Sequence, residues 1–196
     1  MQPKKYRLAV LASGSGTNAE EIFRHFQHHP LVDVALLLSN NPQAYALERA
    51  KKFAIPTAVF TRQEFREEAL VMQWLTEKKV THIILAGFLW LIPDYLINHF
   101  PHRIINIHPA LLPKFGGKGM YGMKVHESVK TSGEYETGIS IHEVNEKYDE
   151  GKIIFQASCP VQPDDTPDTI AKKVHALEYE HYPKVIEKWV LAGGNY

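Results

Sequence analysis

The sequence predicts an α/β protein on a Rossmann-like open sheet, with a parallel N-terminal βαβ half and an antiparallel C-terminal strand pair. In the N-terminal half, short apolar runs alternate with stretches that carry apolar residues at helical spacing. This alternation is typical of parallel strands joined by crossover helices. In the C-terminal half, two strand patterns follow each other across a short turn, so we expect them to pair antiparallel.

The strands of the N-terminal half are apolar along their length, as expected when helices cover both faces of a sheet. The predicted strands cover residues 8–12, 32–39, 57–60, 83–86 and 104–107. The predicted helices cover residues 17–27, 44–53, 62–79 and 93–100. Turn-forming residues such as Asn40, Asn41 and Pro42 separate them.

The C-terminal half begins with residues 114–123, which we call the glycine loop because they include four glycines. So many glycines predict a mobile active-site loop. Residues 137–144 alternate apolar and polar side chains, and residues 151–161 form the next strand. Residues 166–191 predict a long closing helix, with Asp164 or Asp165 near its N-cap. We expect Pro183 to kink or divide that helix.

Composition indicates a cytoplasmic domain of enzyme size. Lys plus Arg and Asp plus Glu both number 22, so no basic surplus indicates a nucleic-acid partner. The apolar runs are too short to span a membrane, and the N-terminus leads into a strand instead of a signal peptide. Cys159 is the one cysteine, and we expect a buried, inert thiol. We expect a single domain across residues 1–196, without a linker or repeat.

A glycine-rich segment, residues 13–18, follows the first strand and opens the first helix; we call it the glycine turn. Glycines let the backbone approach a ligand, and free N–H groups at a helix start bind anions. The dinucleotide pattern also fits its glycines, but residues 39–41 are Ser-Asn-Asn, where such a site has an acidic residue. A single phosphate held by Gly16, Thr17 and Asn18 fits better. A ligand-free turn and N-cap stays open on spacing alone.

Asn106 and His108 stand at the end of a short buried strand that Pro109 stops. Side chains alternate along a strand, so both leave on one side, at the sheet edge where open α/β sheets bind ligands. They offer a fixed hydrogen-bond donor beside a group that titrates near neutrality, the two parts that acyl transfer needs. Asp149, in a turn, is expected to raise the pKa of His108 and hold its imidazolium form. His142 is expected to hydrogen-bond behind this group.

Each of these residues also has an ordinary structural interpretation. A lone histidine is by default a hydrogen-bonded core residue, and Asp149 fits a solvated turn. The face shared by Asn106 and His108, and the glycine loop that follows them, favour the functional interpretation. No metal is expected, because no HExxH or paired-cysteine pattern accompanies the other histidines considered, which are His28, His29, His175 and His181.

Strings of residues along the chain resemble the phosphoribosylglycinamide formyltransferase family. They are Ser13-Gly14-Ser15-Gly16-Thr17-Asn18, Leu85-Ala86-Gly87-Phe88, Asn106-Ile107-His108-Pro109-Ala110-Leu111-Leu112-Pro113 and Asp149-Glu150-Gly151. They occur in the family's order and cover nearly the whole length, which makes the set far more specific than any single string. The resemblance implies the formyltransferase fold. It also implies formyl transfer from the co-substrate 10-formyltetrahydrofolate to the glycinamide amine of a phosphorylated ribose, in purine synthesis.

The resemblance further implies roles for individual residues. The catalytic trio is matched by Asn106, His108 and Asp149. The turn that binds the substrate phosphate is matched by Gly16, Thr17 and Asn18, and a residue near the acceptor by Glu178. The folate-contacting positions are matched by Leu89, Trp90, Leu91, Ile92 and Asn106, and Arg62 falls near a folate-contacting arginine. Trp90 departs from the family pattern, which has arginine there.

Other folate enzymes are alternatives, because methionyl-tRNA formyltransferases, formyl-sugar enzymes and formyltetrahydrofolate hydrolases share this chemistry. The balanced charge and the lack of a basic C-terminal domain argue against tRNA, and the lack of an N-terminal regulatory domain argues against the hydrolase. A non-catalytic nucleotide- or folate-binding module would leave Asn106 and His108 without a task. We expect small-molecule substrates, no nucleic-acid or membrane partner, and a monomer or homodimer.

Overall fold

The computed structural model describes residues 5–193; residues 1–4 and 194–196 of the predicted domain lie outside the described residues. The strands are β1 (Tyr6–Leu11), β2 (Val32–Ser39), β3 (Thr57–Val59), β4 (His82–Leu85), β5 (Ile104–His108), β6 (Glu136–Glu143) and β7 (Ile153–Pro160). The helices are α1 (Thr17–Phe26), α2 (Tyr45–Lys52), α3 (Arg62–Arg66), α4 (Glu68–Glu77), α5 (Asp94–His99), α6 (Met123–Ser132) and α7 (Pro167–Leu191).

Within residues 5–193 the strands form one seven-stranded sheet in the order β3-β2-β1-β4-β5-β6-β7. The strands from β3 to β5 in this order pair in parallel. β6 is antiparallel to both β5 and β7. The predicted fold class is therefore confirmed. The direction of strand addition reverses between β1 and β4, and open α/β sheets bind their ligands in the crevice at such a point.

Side chains alternate along the strands and pack into two apolar layers, one on each face of the sheet. In β1, Leu8 and Val10 point into a core cluster with residues of α1 and α7 such as Phe23 and Trp189. Ala9 and Leu11 point the other way, into a cluster with residues of α3, α4 and α5. Burying an aliphatic side chain stabilises the fold by about 1.5–3 kcal/mol, so both faces of the sheet must be covered.

The predicted helix over residues 62–79 is two helices in the structure. Glu67 has an extended backbone (φ −87°, ψ 115°) and separates α3 from α4. Thr61 caps α3 through a reciprocal capping box with Glu64. No proline or glycine stands at the break, and the pattern of apolar residues continues across it. The sequence therefore predicted one helix. The sequence also gave no prediction of α6.

Helix α7 is unbroken through Pro183, so the expectation that this proline divides it is wrong. Pro183 is buried, and its neighbours Tyr182, Val185 and Ile186 pack in the core, where tertiary packing supplies most of a helix's stability. The N-cap is Thr166, in a capping box with Thr169, and the predicted neighbour Asp165 accepts from the Thr169 hydroxyl. In the part of the chain that is described, no helix has the length and apolar character needed to cross a membrane.

Candidate active site

A cleft of about 600 Å³ opens where the carboxyl ends of β1, β4 and β5 meet. Its lining includes the glycine turn, the end of β5, most of the glycine loop and residues 89–92, which we call the apolar wall. This is the point at which the strand order reverses. The topology thus brings together segments that are far apart in sequence.

The glycine turn is shaped for close backbone approach at Gly16. This residue has a left-handed φ of 72° and stands directly before α1. A Cβ here would overlap the backbone and side chain of Ala46, which itself donates its N–H to the Gly14 carbonyl (3.1 Å). Only glycine adopts this left-handed backbone without strain and has no Cβ to overlap Ala46. The turn is therefore a fixed one, with the start of α1 facing the cleft.

Asn18 and Glu178 meet at the side of the cleft next to the glycine turn. Asn18 Nδ2 donates to Glu178 Oε2 (3.0 Å), and both residues line the cleft. Glu178 is only 6% exposed, and burial raises its pKa to about 7 although the Asn18 bond acts in the opposite direction. Glu178 is therefore substantially protonated near neutrality, which reduces its repulsion of an anion at the turn.

Asn106, His108, His142 and Asp149 form what we call the polar corner. Asn106 and His142 are register partners across β5 and β6, and Asn106 Nδ2 lies 3.2 Å from His142 Nε2. His142 Nδ1 donates to the Glu143 carbonyl (2.7 Å), which leaves Nε2 free to accept from the amide. Asp149 Oδ1 lies 3.5 Å from Asn106 Nδ2, and Oδ2 lies 3.5 Å from His108 Nδ1.

The start of the glycine loop is tied to this corner by backbone groups. His108 Nε2 donates to the Phe115 carbonyl (2.7 Å), and the Gly117 N–H donates to Asp149 Oδ2 (2.9 Å). Asp149 has a φ of 57°, an unfavourable backbone conformation for a residue with a side chain. A side chain on Gly116 would press on Leu112 and on Asp149 Cβ. The first part of the loop is therefore packed, in contrast to its predicted mobility.

The protonation of the corner differs from the sequence-based expectation. Burial lowers the pKa of His108, and the Asp149 charge and the Phe115 carbonyl oppose this without overcoming it. Burial opposes ionisation of Asp149, but its hydrogen-bonding neighbours, among them the Gly117 N–H, hold its pKa below the ordinary value. The expectation of a raised pKa for His108 is wrong, and the resting corner holds a neutral imidazole beside a carboxylate.

The apolar wall is another part of the cleft lining. Leu89 and Leu91 are 44% and 42% exposed, and all four residues 89–92 line the cleft. The Trp90 ring packs against an aromatic cluster of Phe60, Phe65 and Phe88. Arg62 does not line the cleft; its guanidinium lies 5.5 Å over the Trp90 ring. The expected direct contact of Arg62 with the cleft is therefore not seen, and its contact with the cleft runs through Trp90.

Some groups in the cleft or next to it were not identified from the sequence. The Phe115 carbonyl and the Gly117 N–H are backbone groups, which no residue pattern reveals. His126 lines the cleft from α6, a helix that was not predicted, and its ring meets that of His175 edge to face at 6.3 Å. No group of three or more His, Cys, Asp or Glu within residues 5–193 is placed to hold a metal ion.

The chain is similar in sequence to known proteins. The sequence profile of the formyl transferase family matches residues 6–186. Phosphoribosylglycinamide formyltransferase of Bacillus subtilis (strain 168) is 37% identical over 187 residues, with 93% of each chain covered. The chloroplastic phosphoribosylglycinamide formyltransferase of Arabidopsis thaliana is 41% identical over 192 residues, and the match covers 94% of this chain but 65% of the plant protein. The chain thus spans just under two thirds of that relative's length.

A solved structure agrees with the sequence relatives. The crystal structure of phosphoribosylglycinamide formyltransferase from Anaplasma phagocytophilum superposes with a TM-score of 0.85 at 34% identity. The alignment covers 93% of this chain and 86% of the other. The similarity therefore includes the elements that build the cleft.

Proposed function

The chain belongs to the formyl transferase family, and we propose that it transfers the formyl group of 10-formyltetrahydrofolate to the amine of 5′-phosphoribosylglycinamide. The observation that carries the proposal is the cleft itself, which the glycine turn, the apolar wall and the polar corner line together. In this proposal residues 1–196 act as one domain in purine synthesis. The cytoplasmic location and the monomeric or homodimeric state stay predictions.

The glycine turn holds the acceptor's phosphate in this proposal. The backbone N–H groups of Gly16, Thr17 and Asn18 stand at the start of α1, where the helix dipole also favours negative charge. Glu178, protonated near neutrality, lies beside the turn and can donate to an acceptor hydroxyl while it stays bonded to Asn18. The same carboxyl would repel a phosphate more strongly if its pKa were ordinary.

The apolar wall fits the flat ring system of a folate. Leu89 and Leu91 offer exposed apolar surface, Trp90 is half-buried and Ile92 is buried. Asn106 adds a polar group to the same cleft. Arg62 supports this surface through Trp90. An apolar cleft with few polar groups is the usual form of a cofactor site.

The folate co-substrate supplies an electrophilic formyl carbon when it is bound. Asn106 stabilises the negative charge that develops on the formyl oxygen, because its Nδ2 can exchange the long contact with Asp149 (3.5 Å) for this stronger one. A preorganised donor of this kind is worth about 3 kcal/mol in the transition state. His142 accepts the other Nδ2 hydrogen and so holds the amide in orientation.

His108 and Asp149 carry the proton. His108 begins neutral because burial lowers its pKa, and it takes up the proton that the attacking amine releases, through Asp149 or water. The Asp149 carboxylate, 3.5 Å from His108 Nδ1, stabilises the imidazolium so formed. The imidazolium then returns the proton to the departing folate nitrogen. The proton is thereby moved from one nitrogen to the other, and no covalent enzyme intermediate is required.

One assay tests this function. Purified protein is incubated with 10-formyltetrahydrofolate and either 5′-phosphoribosylglycinamide or buffer, and tetrahydrofolate and formylated acceptor are measured. We expect both products to form together and only with the acceptor. Tetrahydrofolate release at the same rate in buffer would identify a hydrolase and overturn the proposal.

A further inference from the structure

Tyr182 is a fully buried residue of α7 that the proposed reaction does not use. It is 0% exposed and belongs to the core cluster between the sheet and α7. Its hydroxyl donates to the Leu85 carbonyl (2.8 Å) and lies 3.5 Å from the Ile105 carbonyl. A buried hydroxyl is costly unless it is hydrogen-bonded, so this position accepts tyrosine because those carbonyls are there.

The two carbonyls lie at the end of the β4–β5 ladder, directly beside the cleft. Leu85 is the last residue of β4 and pairs in register with Asn106, the last pair of that ladder. Ile105 immediately precedes Asn106 on β5. Beyond Leu85 the chain leaves the sheet for the apolar wall. The Tyr182 hydroxyl therefore contacts the sheet beside two parts of the cleft. One is the segment that leads from Leu85 to the apolar wall, and the other is Asn106.

The same helix face also reaches the other side of the cleft. Glu178 stands one helical turn before Tyr182, so both side chains project from one face of α7. Glu178 accepts from Asn18 of the glycine turn. One rigid helix thus contacts the acceptor side of the cleft through Glu178 and the end of β4 through Tyr182.

We propose that Tyr182 is a positioning residue, whose hydroxyl fixes the end of β4 against β5 and thereby sets the separation of Asn106 from the apolar wall. The inference rests on the proposed function, because the separation matters when the wall holds the folate and Asn106 stabilises the charge on its formyl oxygen. Displacement of reacting groups by about 1 Å can lower a rate about a hundredfold, so a small relaxation here reduces turnover. The Tyr182 hydroxyl bonds to no residue of the glycine turn or the apolar wall, so the affinities for the two substrates should change less than the rate.

The test compares Tyr182→Phe with Ile186→Val. Phe keeps the ring in place and removes only the hydroxyl, while Ile186, also 0% exposed in the same helix, loses one methyl group from the same core. We expect Tyr182→Phe to lower kcat about tenfold with both KM values within about twofold of the wild type. Ile186→Val should keep the wild-type kcat. Equal kcat values for the two variants, at similar thermal stability, would overturn the proposal.

A second readout is independent of catalysis. In the ¹⁵N-labelled proteins, we expect the side-chain amide resonances of Asn106 to move in Tyr182→Phe and to stay in place in Ile186→Val. Unmoved Asn106 resonances in Tyr182→Phe would also overturn the positioning role. If the wild type transfers no formyl group while these resonances move as expected, the proposed function is wrong and the positioning role stands.

Discussion

The two sides of the cleft are built in opposite ways. In the polar corner, His108 is 3% exposed, and both of its ring nitrogens and both Asp149 oxygens already face a partner. In the apolar wall, Leu89 and Leu91 are more than 40% exposed. Polar groups must be ordered before they can stabilise charge, whereas apolar surface gains free energy only when a ligand covers it. The corner is therefore complete without ligand, and the wall is not.

Breaking the corner should give the largest effect. We expect His108→Ala or Asp149→Asn to lower kcat by about 10³-fold or more, because each removes a step of proton transfer. Circular dichroism should show that both variants remain folded. His102→Ala serves as the control, since His102 is an exposed histidine just before the same strand. A near-wild-type rate for either corner variant would contradict the assigned roles.

The buried Glu178 gives a test in stability. In the folded protein its pKa is about 7, against an ordinary value of 4.5, so the folded state keeps a proton that the unfolded chain has lost. Between these values stability falls as pH rises. From pH 5 to pH 8 the wild type should therefore lose about 2 kcal/mol more unfolding free energy than Glu178→Gln, which has no charge to bury. Urea unfolding at pH 5 and pH 8 measures the unfolding free energy of both proteins. An equal loss in the wild type and in Glu178→Gln would exclude the raised pKa of Glu178.

The acceptor side should respond separately from the folate side. We expect Asn18→Ala to raise the KM for the phosphorylated acceptor about tenfold, because it removes the hydrogen bond that holds Glu178 beside the glycine turn, and to leave the KM for folate nearly unchanged. Asn98→Ala, an exposed asparagine of α5, should change neither value. The reverse order of the two KM effects would move the phosphate site away from the glycine turn.

Substitutions in and beside the apolar wall should have the smallest effects on the kinetic constants, and these effects should differ in size between residues. Trp90→Leu removes the ring that Arg62 covers, and we expect the KM for folate to rise about fivefold to tenfold. Arg62→Ala should raise it only about twofold to fivefold, the size of a partly exposed cation–π contact. Arg66→Ala, on the same short helix, is the matched control. A larger effect for Arg62 than for Trp90 would mean that Arg62 contacts the folate directly.

The sequence predicted the sheet and the residues of the site better than the connections between them. Apolar runs located the strands, and alternation along β5 put Asn106 and His108 on one face. The break at Glu67 was not predicted, because no proline or glycine marks it. Helix α6 was not predicted, because its apolar periodicity is weak, although Gly122 and Gly133 flank it. The lowered pKa of His108 was missed for a related reason. It depends on how deeply the ring is buried, which is a property of the packed corner and not of a motif.

The two backbone hydrogen bonds from the glycine loop to His108 and Asp149 make the loop a thermodynamic partner of the catalytic groups. Any ligand that binds only when the loop is in this arrangement must also favour the ordered imidazole and carboxylate. Reciprocally, a change that orders His108 and Asp149 must strengthen the binding of that ligand by the same free energy. A ligand that holds the loop in this arrangement therefore also stabilises the positions of His108 and Asp149 from which the proton is transferred.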